Sequence, residues 1–302
     1  MEADLEALKK AMQGLGTDED TLIKIVANKT VLERLKIKEE WKAKYGTDLI
    51  SDLKKDLHGK MIEAMTALFS DPIDYDCDSL RSAMSGLGTN EDTLIEIIAS
   101  RPAEILNKII HRYEEKFNRN LEEDIKKETR GTLQNVLISL LQCNRSTNKS
   151  PNSAQIEKIA KEIYDAGEGK IWRDSSVFTK YLTTLSPNEL VCLNQEYNYI
   201  AHHTILQAID KEFMGDSKKA FRAIVYATLM PSEYFATRVH DAIKGIGTKD
   251  HLLMRVIITR DEIDMPQIKE CYQKLYGVSM IEAITKDISG NYRKLMLELC
   301  HH

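Results

Sequence analysis

The chain has 302 residues, room for two ordinary domains or one large repeat assembly. Its hydrophobic share of 42%, with 14 glycines and only 6 prolines, excludes intrinsic disorder and collagen and favours long helical runs over many short strands. Its 42 basic and 47 acidic side chains are interleaved, and the resulting charge of −5 disfavours nucleic-acid binding, which relies on a concentrated positive field.

Along the chain, apolar residues fall at helical spacing from the start: Leu5, Leu8, Ala11 and Met12 form one stripe. A GLGT loop follows at Gly14–Thr17, then a second stripe with Leu22, Ile25 and Val26. A third stripe, Leu49, Leu53 and Leu57, lies in YGTDLISDLKKDLHGKM, which begins at Tyr45. The same text then returns. GLGTNEDTLIEIIASR begins at Gly86, 72 residues after Gly14, and FNRNLEEDIKKETRGTL begins at Phe117. The polar stretch 142–153, QCNRSTNKSPNS, reads as a linker that splits the chain into two pairs of units. Beyond it comes a degenerate copy, AGEGKIWRDSSVFTKYL from Ala166 and AHHTILQAIDKEFMGDS from Ala201. A fourth, intact copy has GIGTKDHLLMRVIITR from Gly245 and YGVSMIEAITKDISGNY from Tyr276. Four tandem all-α units are therefore expected, at 1–72, 73–145, 154–230 and 231–302, with 146–153 between the inner two. In each intact loop the first glycine suits a helix C-terminus, and Thr17, Thr89 and Thr248 suit the N-cap of the next helix.

One spacing carries chemical information. Gly16 to Asp56, Gly88 to Glu128 and Gly247 to Asp287 are each 40 residues, and each acid is followed three residues later by Gly59, Gly131 or Gly290. The last carbonyls of a helix lack donors and carry the negative end of its dipole. Glycines let several of them converge, and one distant carboxylate adds charge. Such an irregular set of oxygens suits Ca²⁺ better than Mg²⁺. One acid per site leaves open positions and residual positive charge, so a further anion is needed to complete the shell. A protein of charge −5 would not by itself seek an acidic membrane, but bound calcium reverses the local sign and can be shared with lipid phosphates. Leu15, Leu87 and Ile246, at the loop tips, are then placed to touch the interface.

On these four units, the GxGT loops and the paired acids, the chain resembles the annexin family over essentially its whole length; AGEGK in the third unit and DMPQIKECYQKLYG at 264–277 are similar to family text. The resemblance implies a slightly curved disc of four five-helix domains with calcium sites on the convex face. It also implies reversible, Ca²⁺-dependent binding to acidic phospholipids at the cytosolic face of membranes. Carried over residue by residue, the metal ligands are the carbonyls of Met12, Gly14 and Gly16 with Asp56; of Met84, Gly86 and Gly88 with Glu128; and of Ile243, Gly245 and Gly247 with Asp287. Secondary sites in the family use the loop threonine with an acid two residues on, here Thr17 with Glu19 and Thr89 with Glu91. The third unit departs: Trp172 and Arg173 replace the second glycine and the threonine, although Glu212 keeps the spacing of 40. The first stripe begins close to Met1, so the long N-terminal tail by which some family members recruit partners is expected to be absent.

Other signals are weaker. No run of about 18 apolar residues is present, and MEADLEALKK is unlike a secretory signal, so a cytoplasmic protein is expected. Five scattered cysteines without CxxC suggest neither a disulfide framework nor a zinc site. Asp74, Asp76 and Asp78 mimic the start of an EF-hand loop, but Ser79 and Ser85 stand where glycine and glutamate are required. Met254 and Met296 sit on apolar stripes and read as core. No P-loop, GxSxG or HExxH occurs, and no enzyme is expected. The competing reading is a helical scaffold for a protein partner, perhaps cytoskeletal, with vestigial calcium loops; association of copies on the membrane is left open.

Overall fold

The computed structural model describes residues 1–13, 16–168 and 174–301. Among these, the chain forms 20 α-helices and no strand, in four sets of five. The first set is α1 (Glu2–Ala11), α2 (Glu19–Ala27), α3 (Val31–Tyr45), α4 (Leu49–Asp56) and α5 (Gly59–Leu68). The second is α6 (Pro72–Ala83), α7 (Glu91–Ser100), α8 (Ala103–Phe117), α9 (Leu121–Glu128) and α10 (Gly131–Leu141). The third is α11 (Ser153–Ala166), α12 (Ser175–Thr184), α13 (Pro187–Ala201), α14 (Ile205–Glu212) and α15 (Gly215–Leu229). The fourth is α16 (Pro231–Ile243), α17 (Asp250–Arg260), α18 (Met265–Tyr276), α19 (Met280–Asp287) and α20 (Gly290–Leu299). The expected all-α repeat architecture is thus present.

The pairing of the repeats differs from the sequence expectation. The chain divides into two compact units, residues 1–75 with 235–302 and residues 76–234, so the first repeat joins the fourth and the second joins the third. The stretch 142–153 lies inside one unit and does not separate two pairs. The reason is packing. In the first unit α2 and α5 bury Leu22, Val26, Met65 and Leu68 against α17 and α20, which supply Leu253, Ile257, Leu295 and Met296, all at most 2% exposed. In the second unit α7 and α10 meet α12 and α15 through Leu94, Ile98, Val136, Leu137, Phe178, Leu182, Phe221 and Ile224. Helix α7 is buried without a break from Thr93 to Ala99, and α17 from Leu252 to Ile258, so neither could face water. Met254 and Met296 are core residues as expected. Asp74, Asp76 and Asp78 lie on helix α6; Asp76 is buried and doubly bonded to Arg101, while Asp78 pairs with Lys116.

Four helices of eight residues, α4, α9, α14 and α19, position the acids singled out above. Each ends on one: Asp56, Glu128, Glu212 and Asp287. The next two residues are extended, and a glycine with φ between 57° and 68° then opens the following helix. That left-handed value is tolerated without cost only by glycine. In the first two repeats the short helix is anchored by a buried carboxylate four residues before its terminal acid. Asp52 accepts from the Trp41 indole at 3.0 Å, from Thr47 at 2.5 Å and from Lys55 at 2.6 Å. Asp124 accepts from Tyr113 at 2.9 Å and from both arms of Arg119 at 2.7 and 2.6 Å. In the other two repeats Ala208 and Ala283 take that position.

The Lys55 and Thr47 hydrogen bonds, with the Trp41 N–H, hold the Asp52 carboxyl down at about 2. An unfolded aspartate titrates near 3.9, so Asp52 contributes stability above that pH and loses it as pH falls toward 2. Urea melts between pH 4 and pH 2 should show a shallower loss of stability in Asp52→Asn than in the parent, and a lower midpoint at pH 6.

Candidate functional site: the interhelical loops

Every first-to-second helix loop is closed at its base by one backbone hydrogen bond. The amides of Asp18, Asn90 and Lys249 donate to the carbonyls of Ala11, Ala83 and Ala242, seven residues earlier, at 2.8 to 2.9 Å. In the third repeat Asp174 donates to Ala166, eight residues earlier, so that loop is one residue longer. The closure pins the loop ends and leaves the residues between to turn outward. Gly16, Gly86, Gly88, Gly245 and Gly247 have φ between 83° and 129°, and an added Cβ would meet nothing within 4 Å; backbone conformation, not crowding, is what requires glycine there.

Among the described residues, no hydrogen bond reaches the carbonyls of Met12, Gly16, Met84, Gly86, Gly88, Ile243, Gly245 or Gly247. Peptide oxygens without a donor must face water or a cation. Gly14 and Leu15 lie outside the described residues, as do Lys170, Trp172 and Arg173 of the third loop. At the tips, Leu87 and Ile246 are 110% and 109% exposed, beyond any other large apolar side chain described.

The acids stand at helix ends as the spacing implies. Asp56 and Glu128 are exposed, and Asp287 is half-buried. Two of them are tied to their loops through a contact that the sequence reading missed. The Thr89 hydroxyl donates to Glu128 Oε2 at 2.8 Å, and the Thr248 hydroxyl donates to Asp287 Oδ2 at 2.5 Å. These threonines are therefore not N-caps. The cap falls one residue later, where Asp18 and Asn90 accept from the amides of Thr21 and Thr93 at 3.1 Å; Lys249 caps without a side-chain bond. With capping given to the next residue, the threonine is free to reach the acid 39 positions on. The Asp56 carboxylate makes no hydrogen bond or ion pair among the described residues. In the third repeat Glu212 is buried at 8% exposure, unlike its three counterparts.

The surroundings of the acids carry charges of both signs. Burial holds the Asp250 carboxyl above its usual range, with Lys60 and His251 pulling it down and Glu63 and Asp287 pushing it up. Beside Glu128 an open depression of about 450 Å³ is bordered by Glu91, Asp216, Arg130 and Met214. No three His, Cys, Asp or Glu side chains converge among the described residues, so a side-chain-only metal centre is not what this fold offers. The donor set is one carboxylate with several peptide oxygens, all hard and uncrowded, and that fits calcium's preference for many flexible oxygen ligands. No helix among the described residues is long and apolar enough to cross a membrane.

Comparison with known proteins finds similar chains over nearly the whole length. A family model described as Annexin matches residues 3–68, 75–140 and 234–299, the three repeats with intact loops. The chain is 40% identical to human annexin A7 over 296 residues, covering 98% of this chain and 61% of the relative's length. The solved structure of annexin III superposes with a TM-score of 0.95 at 35% identity, covering 99% of this chain and 93% of that one. The calcium-bound structure of annexin (Sm)1 superposes at 0.88 with 32% identity, covering 99% and 90%. The chain belongs to the annexin family, which is known for calcium-dependent binding to phospholipid.

Proposed function

We propose that this chain is a peripheral membrane-binding protein switched by calcium, which attaches reversibly to acidic phospholipid through its first, second and fourth loops. The observation that supports this most is the recurrence, in each of those loops, of donor-free carbonyls with an acid 40 residues on at the end of an eight-residue helix. Calcium would be held by the carbonyls of Met84, Gly86 and Gly88 with Glu128, and of Ile243, Gly245 and Gly247 with Asp287. In the first repeat it would be held by those of Met12, Gly14 and Gly16 with Asp56. Bound there, the ion supplies a positive centre whose unfilled positions accept lipid phosphate oxygens.

This chain's own residues do the rest. The glycines present their carbonyls outward, and the base hydrogen bond keeps the loop from spreading. Leu87 and Ile246 place an apolar side chain at the tip, where it meets the lipid interface as the phosphate is engaged. With a net charge of −5, the protein without metal is repelled by an anionic surface, so release on calcium removal follows from the same charges. The calcium-bound state of annexin (Sm)1, a structural neighbour, supports the choice of ion. By the same reading the protein works at the cytosolic leaflet, where anionic lipids are concentrated.

Co-sedimentation with phosphatidylserine vesicles across a calcium titration tests the reading: pelleting should require calcium, reverse with chelator and fail with neutral lipid. Equal pelleting with and without chelator would contradict it. Glu128→Gln and Asp287→Asn should each raise the calcium needed for half-maximal pelleting by roughly three- to tenfold, since each removes the sole charged ligand of its site. Circular dichroism should be unchanged, because both acids stand at exposed or half-exposed helix ends. In a background carrying Asp56→Asn and Glu128→Gln, Thr248→Val should lower the calcium requirement roughly threefold. The hydroxyl that occupies Asp287 Oδ2 in the metal-free loop would be gone.

A further inference from the structure

The third repeat carries a different connection between its loop and its short helix. Lys211, the penultimate residue of α14, donates from Nζ to Oε1 of loop residue Glu168 at 2.6 Å. The same oxygen lies 2.9 Å from His203 Nε2. The Glu168 side chain is only 10% exposed, so these partners take the place of water around it. The His203 ring lies parallel to that of Tyr197, with centroids 5.9 Å apart and planes within 6°. Tyr197 is fully buried, and its hydroxyl has no hydrogen-bond partner among the described residues. Its counterparts Trp41 and Tyr113 donate to Asp52 and Asp124, but Ala208 has replaced that acid here. The third repeat thus lacks a carboxylate at the position of Asp52 and Asp124, and it has a nearly buried carboxylate just past α11, held by a cation from its short helix.

We propose that Lys211, with His203 as a second hydrogen-bond partner, clasps Glu168, where the chain leaves α11, to α14, and that this built-in cation stands in for the calcium the other loops recruit. This rests on the calcium reading of those other loops. In the second and fourth repeats a single threonine hydroxyl joins the loop to the acid, and a metal has to complete the connection. In the third repeat a charge-assisted bond makes it outright, between residues 43 positions apart. The ammonium brings donors but no vacant coordination position. Glu168 is therefore held with or without calcium, so membrane attachment is carried by the loops of the first, second and fourth repeats.

Limited trypsin digestion of the full chain tests this, because Lys170 and Arg173 mark the third loop while Lys244 and Lys249 bracket the fourth. In the parent protein, cleavage at Lys170 and Arg173 should proceed at the same rate in 5 mM calcium and in chelator, while cleavage at Lys244 and Lys249 slows in calcium. Lys211→Met should speed cleavage of the third loop roughly tenfold in chelator, leave the fourth unchanged, and be rescued by Lys211→Arg. Glu168→Gln should reproduce the effect from the other side of the pair. Third-loop cleavage that calcium slows as strongly as the fourth, or that neither Lys211→Met nor Glu168→Gln alters, would overturn the clasp. A fourth loop indifferent to calcium, with the third loop still opened by Lys211→Met, would support the clasp and sink the calcium reading alone.

Discussion

Peptide carbonyls that leave a helix without a donor set the terms for each intact repeat. The loop after the first helix is pinched shut by one amide hydrogen bond back to Ala11, Ala83 or Ala242, and among the described residues the carbonyls of Met12, Gly16, Met84, Gly86, Gly88, Ile243, Gly245 and Gly247 are left without a donor. Water can satisfy them at an exposed loop, but it cannot gather them. A cation can, provided that a countercharge stands close by, and the short fourth helix delivers one at its last residue. In the second and fourth repeats the turn that starts the fifth helix with a left-handed glycine leaves the acid within reach of the loop of its own repeat.

The acid is only as well placed as the helix that bears it. In the first two repeats Asp52 and Asp124 fix that helix from inside, each bonded to an aromatic donor on the preceding long helix and to a cation on its own side. The fourth repeat does without this carboxylate; there Tyr272 faces His240 Nδ1 at 3.3 Å, and the Thr248 bond reaches across to Asp287. The third repeat takes another course and spends its charges on the clasp between Glu168 and Lys211. One scaffold thus supports two ways of tying a loop to a helix end, a threonine–acid hydrogen bond and a carboxylate–lysine pair.

Much of this was legible in the sequence because it is local or periodic. Apolar stripes mark the helices, and the constant spacing of 40 residues links each loop to its acid. What the sequence could not carry was set by contacts between distant segments. The union of the first repeat with the fourth depends on α2 and α5 meeting α17 and α20, which no spacing within a repeat encodes. The loop threonines were misread as caps because threonine is a common N-cap; only the fold shows that Asp18 and Asn90 take that role, freeing Thr89 for its acid. The extra residue in the third loop was hidden because Glu212 lies 40 positions after Trp172 regardless.

The most direct trial of the account is a crystal structure grown in millimolar calcium. Density bonded by the carbonyls of Met84, Gly86 and Gly88 and by both oxygens of Glu128, at about 2.3 to 2.6 Å, is the expected result. Glu128 still hydrogen-bonded to Thr89, with the loop oxygens facing only solvent, would contradict it.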